Sequence, residues 1–358
     1  MEAQNELQAF KARLDPKIGA YFDRAIQEAE QEDVLVADAL RYARKFVLAG
    51  GKRLRAAFMY YGYLAAHGTE EEKILDASMS IELIHVFLLV HDDIIDRDDM
   101  RHGIATLHRH YADIGQSLFP TKDTEHFGNA IAIIIGDMLC AFGNDIIFSS
   151  DFPLERRFQA LSKLQNIVSR TAIGQTRDIY MEYQGAASEE EILSMYRNKT
   201  AKYTVEGPLH LGALLAGASE ATLDGLSAYA IPLGIAFQIQ DDILGIFSDA
   251  ERLGKPVGSD IQEGKITLLV SRALLHGTAA EQKRIKAILA LGEALTEKEG
   301  QEFRELVRVT GALAGTQQLA AEYIEEGKRS LEAIRALLDP RAYGFLSAIA
   351  EYMMKREY

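Results

Sequence analysis

Apolar and polar positions alternate along most of this chain with the period of an amphipathic helix. Over residues 1–48, Leu14, Ile18 and Phe22 recur near that spacing, which predicts one or two helices. The same period predicts further helices over residues 56–90 (broken at 67–70), 130–148, 154–184, 189–218, 228–249 and 280–358. No strand-like alternation is sustained anywhere, so the pattern predicts an all-α protein.

Three places depart from this regular pattern. Residues 104–129 are predicted to be the longest irregular stretch, with the side chains of His108, Arg109, His110 and His126 on the surface. Residues 254–267 contain several glycines and a proline, which predict a loop. Pro208 lies within a helical pattern and predicts a kink.

Composition narrows the class of protein. The chain has 358 residues, of which 48% are hydrophobic, and its net charge of −14 argues against nucleic-acid binding. One cysteine, Cys140, excludes an internal disulfide and fits a reducing compartment. The polar start is unlike a signal peptide, and the apolar run 130–148 is interrupted by Gly and Asp. We therefore expect a cytoplasmic protein without a membrane span.

An acidic cluster follows the apolar run from Ile81 to Val90. Asp92 and Asp96 are four residues apart, so on a helix they share one face, with roughly 5–6 Å between their Cβ atoms. Two ionised carboxylates this close repel each other unless a cation lies between them. Hard oxygen ligands followed by arginines suit Mg²⁺ carrying a phosphate-rich substrate.

A second apolar helix is predicted to end in the same way, at Asp241 and Asp242. Gln238 lies one turn before Asp241 and shares its face. We expect these two helix ends to face each other across one cavity. The alternative for either motif is a solvated acidic helix end.

An acidic protein that binds an anionic substrate must concentrate its cations locally. Lys52 and Arg55 follow a Gly-Gly pair, and Lys255 and Lys265 flank Asp260. Further polar residues interrupt apolar helices, namely Glu82, His85, Gln175, Asp178, Lys199 and Thr200. Each has an ordinary structural interpretation, as a helix cap, a core histidine or an exposed polar pair.

Taken together, these motifs resemble a known family. His91–Asp96 followed by Arg101, and Phe237–Asp242, resemble the two aspartate-rich motifs of the trans-isoprenyl diphosphate (polyprenyl) synthases. Residues 51–55, 174–178, 199–200 and 254–267 match further blocks in the same order. The resemblance implies an all-α isoprenoid synthase fold, with about ten or more helices around a deep central cavity. It also implies a single domain over 1–358 and a cytosolic homodimer.

The resemblance also assigns roles to individual residues. It implies that three Mg²⁺ ions, for which Mn²⁺ is a possible substitute, are held by Asp92, Asp96 and Asp241, with Asp93 and Asp242 supporting these ligands. The allylic diphosphate would be bound by Arg101, Gln175, Asp178, Lys199, Lys255 and Lys265. Isopentenyl diphosphate would be bound by Lys52, Arg55, His85 and His102. Thr200 and Gln238 would stabilise the cationic transition state.

The implied reaction is a condensation that needs no covalent nucleophile. Metal ions and cations neutralise the leaving diphosphate, and the double bond of isopentenyl diphosphate attacks the allylic cation. Two positions depart from the family pattern. His102 stands where Arg is usual, and Gly245 replaces the last Asp of the second motif.

The resemblance also implies that product length depends on the residues before the first motif. Phe87 and Leu88 lie five and four residues before Asp92, and Ile84 lies one turn further back. These three residues are the predicted floor of the product cavity. One aromatic at Phe87 resembles the archaeal-type geranylgeranyl diphosphate synthases. Geranylgeranyl diphosphate is therefore the expected product, and farnesyl diphosphate is the alternative.

Three other classes of protein would have different sequence signatures. A class I terpene cyclase needs an Asn/Asp, Ser/Thr, Glu triplet, and no Glu follows Asn144 at that spacing. A non-catalytic subunit of a synthase would be expected to have eroded Asp motifs, and both are essentially intact. A di-metal carboxylate bundle needs two Glu-x-x-His pairs. Glu82 and His85 supply one pair, and no second is found.

Overall fold

The computed structural model describes residues 2–247 and 259–354, which are almost entirely helical. Within these residues the α-helices, α1 to α17 in chain order, are Glu2–Glu32, Val34–Leu48, Leu54–Ala65, Glu71–Ala77, Met79–Asp96, Leu107–Leu118, Thr124–Phe148, Leu154–Gln184, Glu189–Tyr196, Gly207–Ala216, Glu220–Phe247, Ser259–Gln262, Leu268–His276, Ala279–Leu289, Glu297–Val309, Ala312–Ala333 and Pro340–Met354. Single 3₁₀ turns lie at Gly292–Ala294 and Arg335–Leu337. The all-α prediction is confirmed.

The prediction of an irregular stretch over 104–129 is wrong. Helix α6 spans Leu107–Leu118, and α7 begins at Thr124. Helix α6 buries Leu107, Tyr111 and Gly115 at helical spacing, but its many polar residues obscured that pattern. Close packing on α7 stabilises it, since a Cβ on Gly128 would lie 2.2 Å from the carbonyl oxygen of His108. Of the four residues predicted to lie on the surface, two are only partly exposed, namely His108 and His110.

A two-stranded hairpin follows α5. Met100–Arg101 pairs antiparallel with Ile104–Ala105. The connecting residues His102 and Gly103 both have positive φ, 52° and 77°. Two positive φ values are what a two-residue type I′ turn requires, and Gly adopts them without strain. The sequence pattern did not reveal this ladder because each strand has only two residues.

The described residues group into two compact units. Unit 1 contains the residues up to Leu161 together with Leu211–Gly217. Unit 2 contains Ser162–His210 together with the described residues from Ala218 onwards. The helix that carries the first Asp motif, α5, lies in unit 1, and the helix that carries the second, α11, lies in unit 2.

Glycines let the central helices of each unit pack closely. In unit 1, a Cβ on Gly143 of α7 would lie 2.8 Å from Ile84 of α5, and the Ser80 hydroxyl donates to the Gly143 carbonyl at 2.6 Å. In unit 2, a Cβ on Gly234 of α11 would lie 2.4 Å from the Cα of Ala201. Such contacts bring the backbones together and fix where each motif lies.

The predicted kink near Pro208 corresponds to a different irregularity. A π-helix, Arg197–Glu206, joins α9 to α10 and ends two residues before the proline. Proline cannot donate a backbone hydrogen bond, so the ladder must change near it. Single π-turns are commonly found at functional sites, and this segment carries Lys199 and Thr200.

Part of the predicted loop 254–267 lies outside the described residues. The described part contains the short helix α12, Ser259–Gln262, and a turn at Gly264 with φ 69°. The loop prediction is therefore wrong for residues 259–262.

Candidate active site

In the first motif, a buried Asp anchors the hairpin that follows it. Asp93 has no exposed surface and accepts hydrogen bonds from the guanidinium of Arg101, at 2.6 Å from Nε and 2.5 Å from Nη2. Asp98 pairs with the same guanidinium at 3.1 Å. Burial opposes the Arg101 charge, but these carboxylates outweigh it and raise the pKa of Arg101. Arg101, predicted to bind diphosphate, is thus held by Asp93 and Asp98.

Asp92 and Asp96 lie on the last turns of α5 and are partly exposed. Arg97 follows them in the left-handed region, with φ 58°, and its N–H caps the helix by donating to the Asp93 carbonyl. With Arg97 as the cap, the helix ends at Asp96. The two carboxylates therefore share one face at the helix end, as their spacing predicted.

A buried arginine shapes the loop before α3. Arg53 is 3% exposed and adopts φ 55°. Its guanidinium donates to Asp15 at 2.7 Å, to Glu82 at 3.3 Å and to the Val47 carbonyl at 2.8 Å. Sequence reasoning missed Arg53, because nothing in the local pattern distinguishes it from its basic neighbours.

The same contacts explain Glu82. Its Oε1 accepts the Ala56 N–H at 3.0 Å, so both carboxylate oxygens are used to hold the start of α3. A ligand of a di-metal centre would need those oxygens. Glu82, the first residue of the Glu-x-x-His pair with His85, therefore has a structural role.

Arg55 and His85, both predicted to bind isopentenyl diphosphate, contact each other in unit 1. Arg55 Nη1 lies 3.2 Å from His85 Nε2. Burial, and then the charges of Arg55 and Arg101, lower the pKa of His85 well below its usual 6.5. The ring is neutral at pH 7, and its Nε2 can accept a hydrogen bond from the guanidinium. Lys52 lies on the exposed loop three residues before Arg55.

His102 brings the hairpin tip to this same loop. A Cβ on Gly50 would lie 2.4 Å from Cγ of the His102 ring. The glycine thus leaves space in which the ring packs against the loop backbone. Burial, followed by the charges of Arg101 and Arg53, lowers the pKa of His102. The structure therefore brings His102 beside the loop that carries Lys52, although 50 residues separate them in the chain.

The three predicted floor residues differ in environment. Ile84 is fully buried against Gly143 of α7. Phe87 is half-buried and meets the His91 ring edge to face, with 4.8 Å between centroids. Leu88 is also half-buried. Only Phe87 and Leu88 therefore present surface that a prenyl chain could contact.

In unit 2, a chain of hydrogen bonds surrounds the second motif. The Thr200 hydroxyl donates to Gln238 Oε1, and Gln238 Nε2 donates to Asp242 at 2.7 Å. The Tyr196 hydroxyl donates to the other oxygen of Asp242 and accepts the Leu268 N–H at 3.1 Å. Tyr196 was not identified from the sequence. Its position one turn before Thr200, on the same predicted helix face, was the available signal.

Asp242 is buried and Asp241 is partly exposed. Burial, and then the charge of Asp260, raise the pKa of Asp242 to about 8 against the hydrogen bonds from Tyr196 and Gln238. Asp242 therefore anchors the end of α11 inside the unit. Asp241, its neighbour on the helix, is the carboxylate at the surface of the motif.

Lys199 is positioned by close packing between α8 and the π-helix. A Cβ on Gly174 would lie 2.5 Å from the Lys199 backbone nitrogen. One turn along α8, Asp178 accepts a hydrogen bond from Lys199 Nζ at 2.5 Å. Gln175 lies between these positions, and its buried Oε1 makes no hydrogen bond to the described residues.

The two remaining predicted cations belong to the segment 254–267. Lys255 lies outside the described residues. The Lys265 side chain forms an ion pair with Glu263, and the backbone N–H of Lys265 donates to the Asp260 carbonyl at 3.0 Å.

The described residues of each unit include carboxylates that are hard oxygen ligands. Within the described residues, no three His, Cys, Asp or Glu side chains converge closely enough to hold an ion. Mg²⁺ commonly binds through one or two carboxylates together with water and substrate phosphates. The carboxylates at the ends of α5 and α11 fit that mode.

Comparisons with known proteins agree with this geometry. Residues 37–307 match the sequence model of the polyprenyl synthetase family. The geranylgeranyl diphosphate synthase of Methanosarcina mazei is 35% identical over 316 residues, which cover 88% of this chain and 89% of that protein. A short chain isoprenyl diphosphate synthase of Methanothermobacter thermautotrophicus is 31% identical over 94% of this chain and 95% of that protein.

Solved structures give the same result. A geranylgeranyl pyrophosphate synthase of Corynebacterium glutamicum, complexed with isoprenyl diphosphate and magnesium, is 34% identical with a TM-score of 0.91. The alignment covers 98% of this chain and 99% of that one. It confirms the fold that the resemblance implied. The chain belongs to the polyprenyl synthetase family.

Proposed function

We propose that this protein is a Mg²⁺-dependent prenyltransferase that condenses isopentenyl diphosphate with an allylic diphosphate to form geranylgeranyl diphosphate. One observation carries the proposal: α5 and α11 each end in a buried Asp that anchors the helix beside a partly exposed Asp. That arrangement, in a chain of this family, provides carboxylates for metal-bound diphosphate.

The partly exposed carboxylates, Asp92, Asp96 and Asp241, would hold the metal ions. Bound Mg²⁺ neutralises the charge that develops on a departing diphosphate. Three ions, with Mn²⁺ as a possible substitute, are part of the proposal. Asp93 and Asp242 hold the ligands in place through Arg101, Tyr196 and Gln238.

The residues around α8 and the π-helix would bind the allylic diphosphate. Asp178 orients the Lys199 ammonium, which carries three donor hydrogens and would donate to a phosphate oxygen. The Thr200 hydroxyl donates to Gln238, which leaves its oxygen lone pairs for a developing carbocation. Arg101, Gln175, Lys255 and Lys265 complete the proposed set.

Lys52, Arg55, His85 and His102 would bind isopentenyl diphosphate. His85 is neutral and fixes the guanidinium of Arg55, so the positive charge of that pair resides on the arginine. An arginine held in this way can bind a phosphate with two parallel hydrogen bonds. Holding both substrates in fixed positions would supply much of the rate acceleration.

We also propose a cytoplasmic homodimer with one catalytic domain over 1–358. The family match and the aligned relatives include residues of both compact units, which supports one domain. Helix α7 exposes apolar side chains, including Ile133, Ile134 and Phe148, that a second copy would cover. Sedimentation of the purified chain tests this, and a monomer at micromolar concentration would contradict it.

No membrane span is part of the proposal. By length and composition alone, three helical stretches of the described residues could cross a membrane: Glu71–Asp96, Thr124–Phe148 and Glu220–Phe247. Within the first and third, 67% of the most apolar window is buried inside the protein, against 33% in the second. Burial of the first and third, which carry the Asp motifs, supports their assignment as core helices.

The decisive experiment is a product assay. The purified protein is incubated with labelled isopentenyl diphosphate, Mg²⁺ and each allylic primer in turn, and the dephosphorylated products are separated by chromatography. A twenty-carbon alcohol is expected, and a fifteen-carbon alcohol would favour the farnesyl alternative. A cyclic hydrocarbon would indicate a terpene cyclase. No product from any primer would favour a non-catalytic subunit.

A further inference from the structure

The π-helix Arg197–Glu206 ends in a buried carboxylate that no step of the proposed reaction uses. Glu206 is 9% exposed and is the last residue of the segment. A buried charge is costly unless it is paired and hydrogen-bonded. The presence of Glu206 at this position therefore needs an explanation in the contacts around it.

Both oxygens of this carboxylate accept hydrogen bonds from neighbouring helices. The Lys163 ammonium on α8 donates to Oε2 at 3.4 Å, and the Ser227 hydroxyl on α11 donates to Oε1 at 2.9 Å. Burial would raise the pKa of Glu206, but nearby positive charge, chiefly that of Lys163, lowers it overall. Glu206 is therefore an ionised link between α8, the π-helix and α11.

A histidine one turn further along the chain fixes the direction of the serine hydroxyl. His210 Nε2 lies 3.0 Å from the Leu223 carbonyl, which can only accept, so this nitrogen carries the hydrogen. The same nitrogen lies 2.9 Å from Ser227 Oγ. The serine oxygen thus accepts from the ring, and its own hydrogen is directed to Glu206. A nucleophile and its base would need the opposite arrangement, with an unprotonated nitrogen facing the serine.

The same two helices hold the functional residues of the π-helix. Lys199 donates to Asp178 of α8, and Thr200 donates to Gln238 of α11. Glu206 repeats this arrangement at the C-terminal end of the segment, again with one partner on each helix. The π-helix is therefore linked to α8 and α11 at two separate places.

These links favour an unusual hydrogen-bond register. The Gly207 N–H donates to the Lys202 carbonyl, five residues back, which is the π-helical pattern. In an α-helix the bond would reach four residues back, and this change of one residue would turn Glu206 by about 100° relative to the start of the segment. Such a rotation would carry the carboxylate away from Lys163 and Ser227. Holding Glu206 from both sides therefore favours the π register over the α register.

We propose that Glu206 is a positioning residue that stabilises the π register and thereby places Lys199 and Thr200 for the allylic substrate. Its carboxylate is hydrogen-bonded to Lys163 and Ser227, and it acts on catalysis only through the segment that carries those two residues. The catalytic half of this inference rests on the proposed function. The structural half, the effect on the π-helix, does not depend on any activity.

Hydrogen exchange measured by mass spectrometry tests the structural half. Glu206→Ala removes both links, so the amides of residues 197–207 should exchange about 10- to 100-fold faster, as expected for the loss of hydrogen bonds to a charged group. The matched control is Val307→Ala, a truncation of a buried residue on α15 in the same unit. It lowers stability without touching the links and should leave residues 197–207 at the wild-type rate.

Steady-state kinetics test the catalytic half. Glu206→Ala should lower kcat by up to about 100-fold, the effect of a small misplacement of catalytic groups, and should raise the Michaelis constant for the allylic substrate. The constant for isopentenyl diphosphate should not change, because its proposed ligands lie in unit 1. Ser227→Ala removes one link and should give a smaller loss of the same kind. Val307→Ala should keep all three wild-type constants.

Exchanging the charges tests the pairing itself. Lys163→Glu and Glu206→Lys should each resemble Glu206→Ala, because each places like charges together. The double variant restores the ion pair, and the Ser227 hydroxyl can accept from an ammonium as well as donate to a carboxylate. It should therefore recover a substantial part of kcat and of the protection of residues 197–207, which a purely steric role would not allow.

Wild-type exchange over residues 197–207 in both Glu206→Ala and Ser227→Ala would overturn the proposal. Faster exchange with unchanged kinetic constants would also overturn it, because register and catalysis would then be independent. If Glu206→Ala does not fold, Ser227→Ala carries both measurements. A wild type that gives no prenyltransferase product would contradict the proposed function, whereas hydrogen exchange would still decide whether Glu206 holds the π-helix.

Discussion

At the scale of single residues, each Asp motif contains two neighbouring carboxylates, one buried and one partly exposed. Asp93 and Asp242 are buried and accept hydrogen bonds from Arg101 and from Tyr196 and Gln238. Asp92 and Asp241 are partly exposed. Consecutive helix residues point about 100° apart, so one of two adjacent Asp can enter the core while the other remains at the surface. The first Asp of each motif is therefore the one expected to bind metal.

Replacing a partly exposed Asp tests that division. Asp92→Ala or Asp241→Ala should reduce turnover by about two to three orders of magnitude, since the leaving diphosphate loses electrostatic stabilisation. Steady-state kinetics check this, and circular dichroism should show unchanged helix content. Chelation of Mg²⁺ by EDTA should abolish wild-type activity. Turnover that survives EDTA would contradict the metal requirement, and Asp224→Ala is the matched control.

His102 stands where the family has an arginine, and its ring is neutral at pH 7 because burial and nearby cations lower its pKa. His102→Arg should lower the Michaelis constant for isopentenyl diphosphate about three- to tenfold, because a charge-assisted hydrogen bond replaces a neutral one. The constant for the allylic substrate should change little. Initial rates over a matrix of both substrates measure this. An unchanged or raised constant would show that His102 does not face isopentenyl diphosphate.

At the scale of secondary-structure elements, the hairpin 100–105 links two parts of unit 1. Arg101 fixes it to the end of α5, and His102 rests on Gly50 in the loop before α3. The positive φ values at His102 and Gly103 make the turn tight enough for both contacts. This short element sets where the His102 ring lies relative to Lys52 and Arg55.

Two residues of α5 that lie one turn apart should respond differently to truncation. Phe87→Ala removes a half-buried ring, and the vacated space should admit products longer than about twenty-five carbons. Ile84→Ala opens a cavity against α7 and should instead lower the free energy of unfolding by about 2–5 kcal/mol. Chromatography of dephosphorylated products and urea unfolding check the two results. An unchanged product distribution for Phe87→Ala would remove it as the floor.

At the scale of the whole molecule, unit 2 contains a buried polar cluster that includes no residue of either Asp motif. His210 Nε2 lies 3.0 Å from the Leu223 carbonyl, and Ser227 donates to Glu206 at 2.9 Å. Burial is the main reason that the pKa of His210 falls to about 4. Lys163 lowers it further, whereas Glu206 and Asp224 raise it.

This cluster predicts how stability depends on pH. Between pH 6.5 and about 4, unfolded His210 binds a proton that the folded ring does not, so stability falls as the pH falls. The full loss of folding stability from His210 over this pH range is about 3 kcal/mol. Glu206, whose pKa is lowered in the folded state, acts in the same direction at still lower pH.

His210→Gln should flatten the stability curve in that window. Urea unfolding from pH 7.5 to 4.5 gives the slope for the variant and for the wild type. The exposed His126→Gln is the matched control and should keep the wild-type slope. Equal slopes for His210→Gln and the wild type would contradict the prediction.

Local pattern was sufficient to predict most of the fold and the position of both motifs. Helical period, glycine placement and the i, i+4 spacing of Asp92 and Asp96 are properties of neighbours in the chain. The prediction failed at α6, where polar residues obscured a buried face supported by Gly128. It also missed the π-helix, whose ten residues carry no separate sequence signal.

Only the tertiary structure decided which partner each functional residue meets. Arg53 contacts Asp15 and Glu82, Tyr196 contacts Asp242, and Asp260 fills the space above Gly245. These partners are separated by 15 or more residues in the chain, so their contact depends on how helices pack. The sequence by itself determined an all-α chain with two acidic helix ends. Packing determined which carboxylates are buried as anchors and which are partly exposed, because burial is a property of the assembled core.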